Sequence, residues 1–189
     1  MPDLRKQTLS RRDRLPTAHR HILSRHITYR LEHLREYKTA RLPLFFISFR
    51  SEVSTREIIL SRLLRGRPVV VPRTDISKRR LELFLIRDWK KDIVAGAYGI
   101  PEPDAQRCKA VTPGNIDLVI VPGSVFDLRC GRFGYGGGYY DRFLSTEAPD
   151  AVRVALAFDF QVRPAINTKT HDEPMDMIIT ESRIIRCSP

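Results

Sequence analysis

Along residues 17–34 the apolar positions Ile22, Leu23, Ile27, Leu31 and Leu34 recur mostly three or four residues apart, the period of one face of a surface helix. A helix is predicted there, with arginines and histidines on its other face. The run LPLFFISF, residues 42–49, has no polar alternation until its end and reads as a strand covered on both faces. Ser54 with Glu57 three positions later reads as a capping box, opening a helix through Ile58, Ile59, Leu63 and Leu64 that stops at Gly66. Strand PVVVP, residues 68–72, follows at once, and strand, helix and strand in so short a stretch imply a parallel pair with a right-handed crossover. Further strands are expected at 82–86, 117–121, 152–158 and 176–180, and the Gly- and Pro-rich segment 96–115 reads as a surface loop. The predicted fold is a single α/β domain over 1–189 with a mostly parallel sheet flanked by helices. Ligands of such sheets sit beyond the carboxyl ends of the strands, so the residues that follow those runs carry the interest.

Composition narrows the function classes. Hydrophobic residues make up 42% of the chain, enough for a sizeable core and too many for a disordered protein. A formal charge of +11 favours anionic partners: nucleic acid, acidic lipid, nucleoside triphosphate or a poly-carboxylated small molecule. Cys108, Cys130 and Cys187 are odd in number and lack C-x-x-C spacing, so neither a disulfide framework nor a zinc site is expected. His19, His21, His26 and His33 lack a metal-binding pattern and read as a solvated helix surface. With no membrane-length apolar run and no apolar secretory core, the expectation is a soluble protein of the reducing cytoplasm. Asp3 and Asp13 interrupt the Arg-rich start, which counts against an organellar transit peptide.

The least ordinary segment follows strand 117–121 and reads PGSVFDLRCGRFGYGGGYYDRFL, residues 122–144. Gly134, Gly136, Gly137 and Gly138 leave a short loop almost free of side chains, so its N–H groups can converge on an anion, and a helix is predicted to begin near Tyr139 or Tyr140. Arg132 before the loop and Asp141 after it supply a cation for phosphate and a carboxylate for Mg²⁺. The string is neither a Walker A loop, lacking Gly-Lys-Ser/Thr, nor a Rossmann fingerprint, having Tyr139 at the third glycine. Composition alone leaves a phosphate nest and a plain flexible turn equally open.

GRFGYGGGYYDRFL, with VPGSVFD upstream, closely resembles the signature of the 5-formyltetrahydrofolate cyclo-ligase family. FFISF with Arg50-Ser51-Glu52 and STREII resembles that family's first strand, folate-contacting acid and next helix. Gly99-Ile100-Pro101-Glu102-Pro103 resembles its central loop, and His171-Asp172-Glu173-Pro174-Met175-Asp176 its C-terminal acidic turn. The resemblance implies an α/β fold related to sugar-phosphate isomerases and CoA transferases. It also implies an ATP-dependent ligase that converts 5-formyltetrahydrofolate to 5,10-methenyltetrahydrofolate through a phosphorylated formyl group, with Mg²⁺ as cofactor.

By the same resemblance, Arg5, Arg132, Phe133, Gly134, Tyr135, Gly136, Gly137, Gly138, Tyr139 and Tyr140 hold ATP. Arg132 also steadies the γ-phosphate and its transferred form, and Tyr139 touches the reacting folate. Phe46, Glu52, Tyr98 and the stretch from Tyr135 to Tyr139 bind the folate, and Asp141 and Asp172 hold the metal. Each has a plainer reading: Arg132 as a surface charge, Tyr139 and Tyr140 as core aromatics, Glu52 as a loop acid, Asp172 as part of a surface turn, Phe46 as a core residue of its strand. Relatives often carry a Lys four residues before the Arg that corresponds to Arg5; here that place is Met1, so Lys6 or the chain terminus substitutes, or the contact is absent. The expected partners are ATP and 5-formyltetrahydrofolate, with or without a polyglutamate tail, and a monomer is the expected state. A nucleic-acid module would need an RRM, KH or helix-turn-helix pattern, and none is present. Neither nucleic acid nor membrane is expected as a partner.

Overall fold

In a computed structural model, described here for residues 3–96 and 100–187, the chain opens with helices α1 (Leu4–Asp13), α2 (Thr17–His33) and α3 (Arg35–Thr39). Strand β1 (Pro43–Phe45), helix α4 (Arg56–Leu64) and strand β2 (Val69–Asp75) follow, and β2 turns back into β3 (Arg80–Ile86). A single turn α5 (Trp89–Asp92) leads to β4 (Ile93–Ala95), β5 (Pro101–Pro103), β6 (Lys109–Ala110) and β7 (Leu118–Val121). The second half holds β8 (Val125–Asp127), β9 (Arg132–Phe133), α6 (Tyr139–Arg142) with a π turn after it, β10 (Val152–Leu156), β11 (Val162–Arg163), β12 (Met177–Ile179) and β13 (Ile184–Arg186).

The main sheet runs β13-β12-β10-β7-β1-β2-β3-β6. Its five central strands are parallel; β13 and β3 flank them antiparallel, and β6 pairs antiparallel with β3 at the far edge. The predicted β1–β2 pair is parallel, with Leu44 opposite Val70. Side chains of the central strands alternate between two cores. Phe45, Val69, Val71, Leu118 and Ile120 meet Ile27 and Leu31 of α2 and Ile58 and Ile59 of α4 on one face. Leu44, Val70, Val119 and Val121 meet Phe126, Phe143 and Leu144 on the other. Both faces of the sheet are thus dry, which is why its strands read as unbroken apolar runs. At the entry edge, Asp117 accepts the N–H groups of Arg41 and Leu42 at 2.6 and 3.0 Å and so fixes the register of β1 against β7.

Several expectations are corrected. The strand at 42–49 has only three sheet residues: beyond Phe45 the chain bends, and Thr55 Oγ1 donates to the Phe46 carbonyl at 2.8 Å while accepting from Ser48 N at 3.1 Å. Thr55, not Ser54, is the N-cap of α4 and makes no side-chain cap, so the capping box is absent; the hydroxyl that would have capped is spent on the turn after β1. Ile22 is 54% exposed, and α2 instead turns Ser24 and Thr28 inward between Ile27 and Leu31. The stretch 96–115 contains β5, β6 and a 3-10 turn among its described residues, because β5 pairs back on β4 and β6 finds hydrogen-bond partners along the edge of β3. Cys130 and Cys187 form a disulfide, against the expectation of unpaired thiols, with Cα atoms 6.1 Å apart across a sequence separation of 57. Their pairing follows from β13 returning beside the loop after β8, which spacing along the chain does not reveal. The ground for expecting a reducing compartment goes with it. No helix among the described residues is long and apolar enough to cross a membrane.

Candidate active site

The carboxyl ends of β1, β2 and β7 open on one side, and the loops leaving them converge. After β7 the chain passes Pro122 and Gly123 to Ser124, whose hydroxyl donates to the Phe133 carbonyl at 2.9 Å. Gln161 donates to the carbonyls of Gly123 and Ser124 at 3.2 and 3.0 Å. Asp127, buried at the end of β8, accepts from Arg129 N and Gly131 N through one oxygen and from Ile166 N through the other, at 2.8–3.0 Å. These three side chains hold the base of the glycine loop. None of them was singled out from sequence; the Asx-turn that Asp127 makes with Arg129 N, two residues on, is the local signal that could have pointed to it.

The loop itself departs from ordinary backbone. Gly136 lies at φ +99°, a conformation L side chains rarely adopt. At Gly137 an added Cβ would come within 2.5 Å of the Tyr139 ring, so this glycine is what lets the ring lie against the loop. Helix α6 starts at Tyr139 as expected but runs only four residues before passing into the π turn, so the anion-binding capacity rests on the loop N–H groups and the neighbouring cations. Arg5 of α1 lies over the Phe133 ring at 5.7 Å and beside Gly136, and its buried Nε has no partner. Arg132 is buried: Nη2 donates to Asp141 Oδ1 at 2.5 Å, Nη1 to the Pro122 carbonyl at 3.3 Å, and Nε is unpartnered. Two cations therefore flank the loop, each with one buried Nε–H that has no partner.

Arg132 is a shared wall between two clefts. The smaller, about 190 Å³, is lined by Thr74, Pro122, Gly134, Gly137, Tyr139 and Asp141 among others. The larger, about 560 Å³, lies behind it between Asp127, Thr168, Asp172 and Glu173. Asp141 is held by Arg132 and by Glu173 N at 3.3 Å. Asp172 caps its own turn by accepting from Lys169 N at 2.7 Å. No group of three or more His, Cys, Asp and Glu among the described residues can hold a metal unaided. Two half-buried carboxylates on the rims of adjoining clefts suit Mg²⁺, which takes one or two protein carboxylates and completes its shell with substrate phosphates and water.

Glu52 stands on the opposite rim. One oxygen accepts from Phe49 N at 2.8 Å, closing the turn in which Arg50 is left-handed, and the other accepts from the Tyr135 hydroxyl at 2.6 Å. Burial pushes its carboxyl above the usual range, opposed by the hydrogen bonds from Tyr135 and Phe49 N and by the charge of Arg12. Burial likewise raises the phenols of Tyr135 and Tyr140, and the Glu52 charge adds to both shifts. Phe46 is 5% exposed and belongs to the core between the sheet and the helices. Tyr98, Gly99 and Met1 lie outside the described residues. The structure thus brings together Arg5, Glu52, Arg132, Phe133, the four loop glycines, Tyr135, Tyr139, Tyr140 and Asp141, with Asp172 across the second cleft.

Fold and cleft place the chain among α/β enzymes that bind at the carboxyl ends of parallel strands. It belongs to the 5-formyltetrahydrofolate cyclo-ligase family, whose model matches residues 1–181. Among its relatives, the 5-formyltetrahydrofolate cyclo-ligase of Saccharomyces cerevisiae is 31% identical, with 74% of each chain covered. That of Mus musculus is 27% identical over 77% of this chain and 76% of its own. The solved structure of Aquifex aeolicus 5,10-methenyltetrahydrofolate synthetase superposes with a TM-score of 0.86 at 28% identity, covering 98% of this chain and 92% of that one.

Proposed function

We propose that the protein converts 5-formyltetrahydrofolate to 5,10-methenyltetrahydrofolate at the expense of ATP, with Mg²⁺ accompanying the nucleotide. The observation that carries this reading is that three charged side chains meet the glycine loop: Arg5 beside Gly136, Arg132 beside Gly134, and Glu52 through the Tyr135 hydroxyl. An N5-formyl group is amide-like: its carbon is a poor electrophile and its oxygen a poor leaving group. In the proposed reaction the formyl oxygen attacks the γ-phosphorus and the bond to ADP breaks. N10 then adds to the activated formyl carbon, gives up its proton, and phosphate leaves with the former formyl oxygen.

The chain's part is to position the reactants and stabilise charge. Loop N–H groups from Gly134 to Tyr140 receive the phosphates, with Arg5 on their outer side. Arg132 exchanges its Asp141 partner for, or shares it with, phosphate oxygens as charge builds there. Bound through Asp141 and Asp172, Mg²⁺ would neutralise phosphate charge. Glu52 accepts from the N–H groups of the pterin's amidine edge, and Tyr139 lines the passage where formyl and phosphate meet. Pure protein mixed with ATP, Mg²⁺ and 5-formyltetrahydrofolate should develop the near-ultraviolet absorbance of the methenyl product, with one ADP per turnover. Cyclisation at the same rate without ATP, or ADP release without cyclisation, would reject the reading.

A further inference from the structure

Arg12 lies seven residues after Arg5 on α1, two helical turns along and therefore on the same face. Arg5 reaches the glycine loop from that face, whereas Arg12 reaches the opposite rim. It is 4% exposed, an unusual position for an arginine unless its donors are used. Nε donates to Ser51 Oγ at 3.1 Å, and Nη1 donates to the Gly123 carbonyl at 3.3 Å and to the Tyr135 hydroxyl at 3.0 Å. Ser51 in turn donates to Asp13. One guanidinium therefore touches the turn before Glu52, the chain leaving β7 and the glycine loop, three segments 39, 111 and 123 residues away from it.

We propose that Arg12 is a positioning residue for folate binding: through Tyr135 and Ser51 it sets the place and ionised state of Glu52 and ties the folate rim to the nucleotide loop. This rests on the reading of Glu52 as the folate anchor. The phenol that accepts from Arg12 passes its own proton toward Glu52, so the arginine's charge strengthens the Tyr135–Glu52 bond. Burial works against the Glu52 charge and keeps its carboxyl above the usual range; the hydrogen bonds from Tyr135 and Phe49 N oppose that first, and the charge of Arg12, which also fixes the Tyr135 hydroxyl, adds to them. The charged and titratable groups around Glu52 are Arg12 and Asp13 from α1, the latter bonded to the adjacent Ser51, and Tyr135 and Tyr140 from the loop and α6. Without Arg12 the carboxyl loses its counter-charge and the hydroxyl loses its fixed orientation, while the phosphate-binding glycines keep their own supports from Ser124 and Gln161.

The test uses Arg12→Met, Arg12→Lys and Tyr135→Phe in the full chain. Carbon NMR of the Glu52 carboxyl, which needs no substrate, should show its titration midpoint rising by roughly half a unit or more in Arg12→Met and returning toward wild type in Arg12→Lys. In the cyclisation assay, Arg12→Met should raise the folate KM about tenfold or more and the ATP KM by less than about threefold, and Tyr135→Phe added to it should cost less than the two changes separately. An unmoved Glu52 midpoint, or equal rises in both KM values, would overturn the proposal. If Arg12→Met does not fold, Arg12→Lys and Tyr135→Phe carry the same comparison, since Tyr135→Phe breaks the relay without burying a new group. A midpoint that moves as expected in a protein whose folate binding ignores Glu52→Gln would leave Arg12 controlling Glu52 but remove the folate role and the proposal with it. An unmoved midpoint with a Glu52→Gln defect would refute Arg12 alone.

Discussion

Glu52→Gln keeps the side chain's shape and removes its charge, which makes it the cleanest probe of the folate rim. In the wild type the carboxylate accepts from Phe49 N at 2.8 Å and from the Tyr135 hydroxyl at 2.6 Å. The amide oxygen of Gln can keep the first bond, so the turn should survive. Its NH2 group replaces the second acceptor, and an N–H edge of the pterin would then meet a donor. Hydrogen bonds to a charged partner contribute about 1.5–3 kcal/mol, so the folate KM should rise about 10- to 150-fold while the ATP KM stays within about threefold. Folding should move little: a carboxyl whose folded pKa is raised adds stability at low pH that is lost as pH rises through that pKa, so removing it costs nothing at neutral pH. The pH dependence offers a second reading. Folate kcat/KM in the wild type should fall on the acid side with a midpoint above the ordinary glutamate range, and that limb should vanish in the variant. Steady-state kinetics over pH 5–9 (roughly the useful range) with each substrate varied would decide it. Equal changes in both KM values, or an acid limb that persists, would refute the anchoring role.

Three further outcomes are expected. Gly136→Val places a β-branched residue at φ +99° beside Arg5, so ATP binding by calorimetric titration should weaken more than tenfold (about 1.4 kcal/mol or more) while 5-formyltetrahydrofolate binding stays within several-fold; unchanged ATP affinity would show that the glycines serve only chain geometry. Asp127→Ala leaves three backbone N–H groups without their buried acceptor and should cost about 3–5 kcal/mol in denaturant unfolding, and a loss below about 1 kcal/mol would contradict its role as the brace of the glycine loop. Reduction of Cys130–Cys187 opens a loop spanning 57 residues and should lower stability by about 2–4 kcal/mol, seen as a drop in Tm with dithiothreitol; the Cys130→Ser/Cys187→Ser variant should melt at the reduced wild-type temperature and ignore the reductant.

What the sequence determined by itself is local or repetitive. The unbroken apolar runs at 43–45, 69–71 and 118–121 specify strands buried on both faces, and the strand-helix-strand spacing at 42–72 specifies the parallel β1–β2 pair, because periodicity and connection length act within a few residues. The glycine string between Arg132 and Asp141 is likewise visible in one short stretch, together with its resemblance to the family signature. What only the tertiary structure decided involves partners far apart in the chain. Thr55, at the N-cap of α4 in place of Ser54, makes no side-chain cap because the carbonyl of Phe46, nine residues away, takes its hydroxyl. Arg132 is a buried partner of Asp141 and not a surface charge, Phe46 faces the core, and Cys130 meets Cys187. Arg12 and Tyr135, 123 residues apart, join at Glu52 only because α1 lies across the ends of β1 and β7. A hydrogen bond or disulfide of that kind depends on two side chains arriving within a few ångströms of each other, and that distance is set by how the layers pack, which no local pattern encodes.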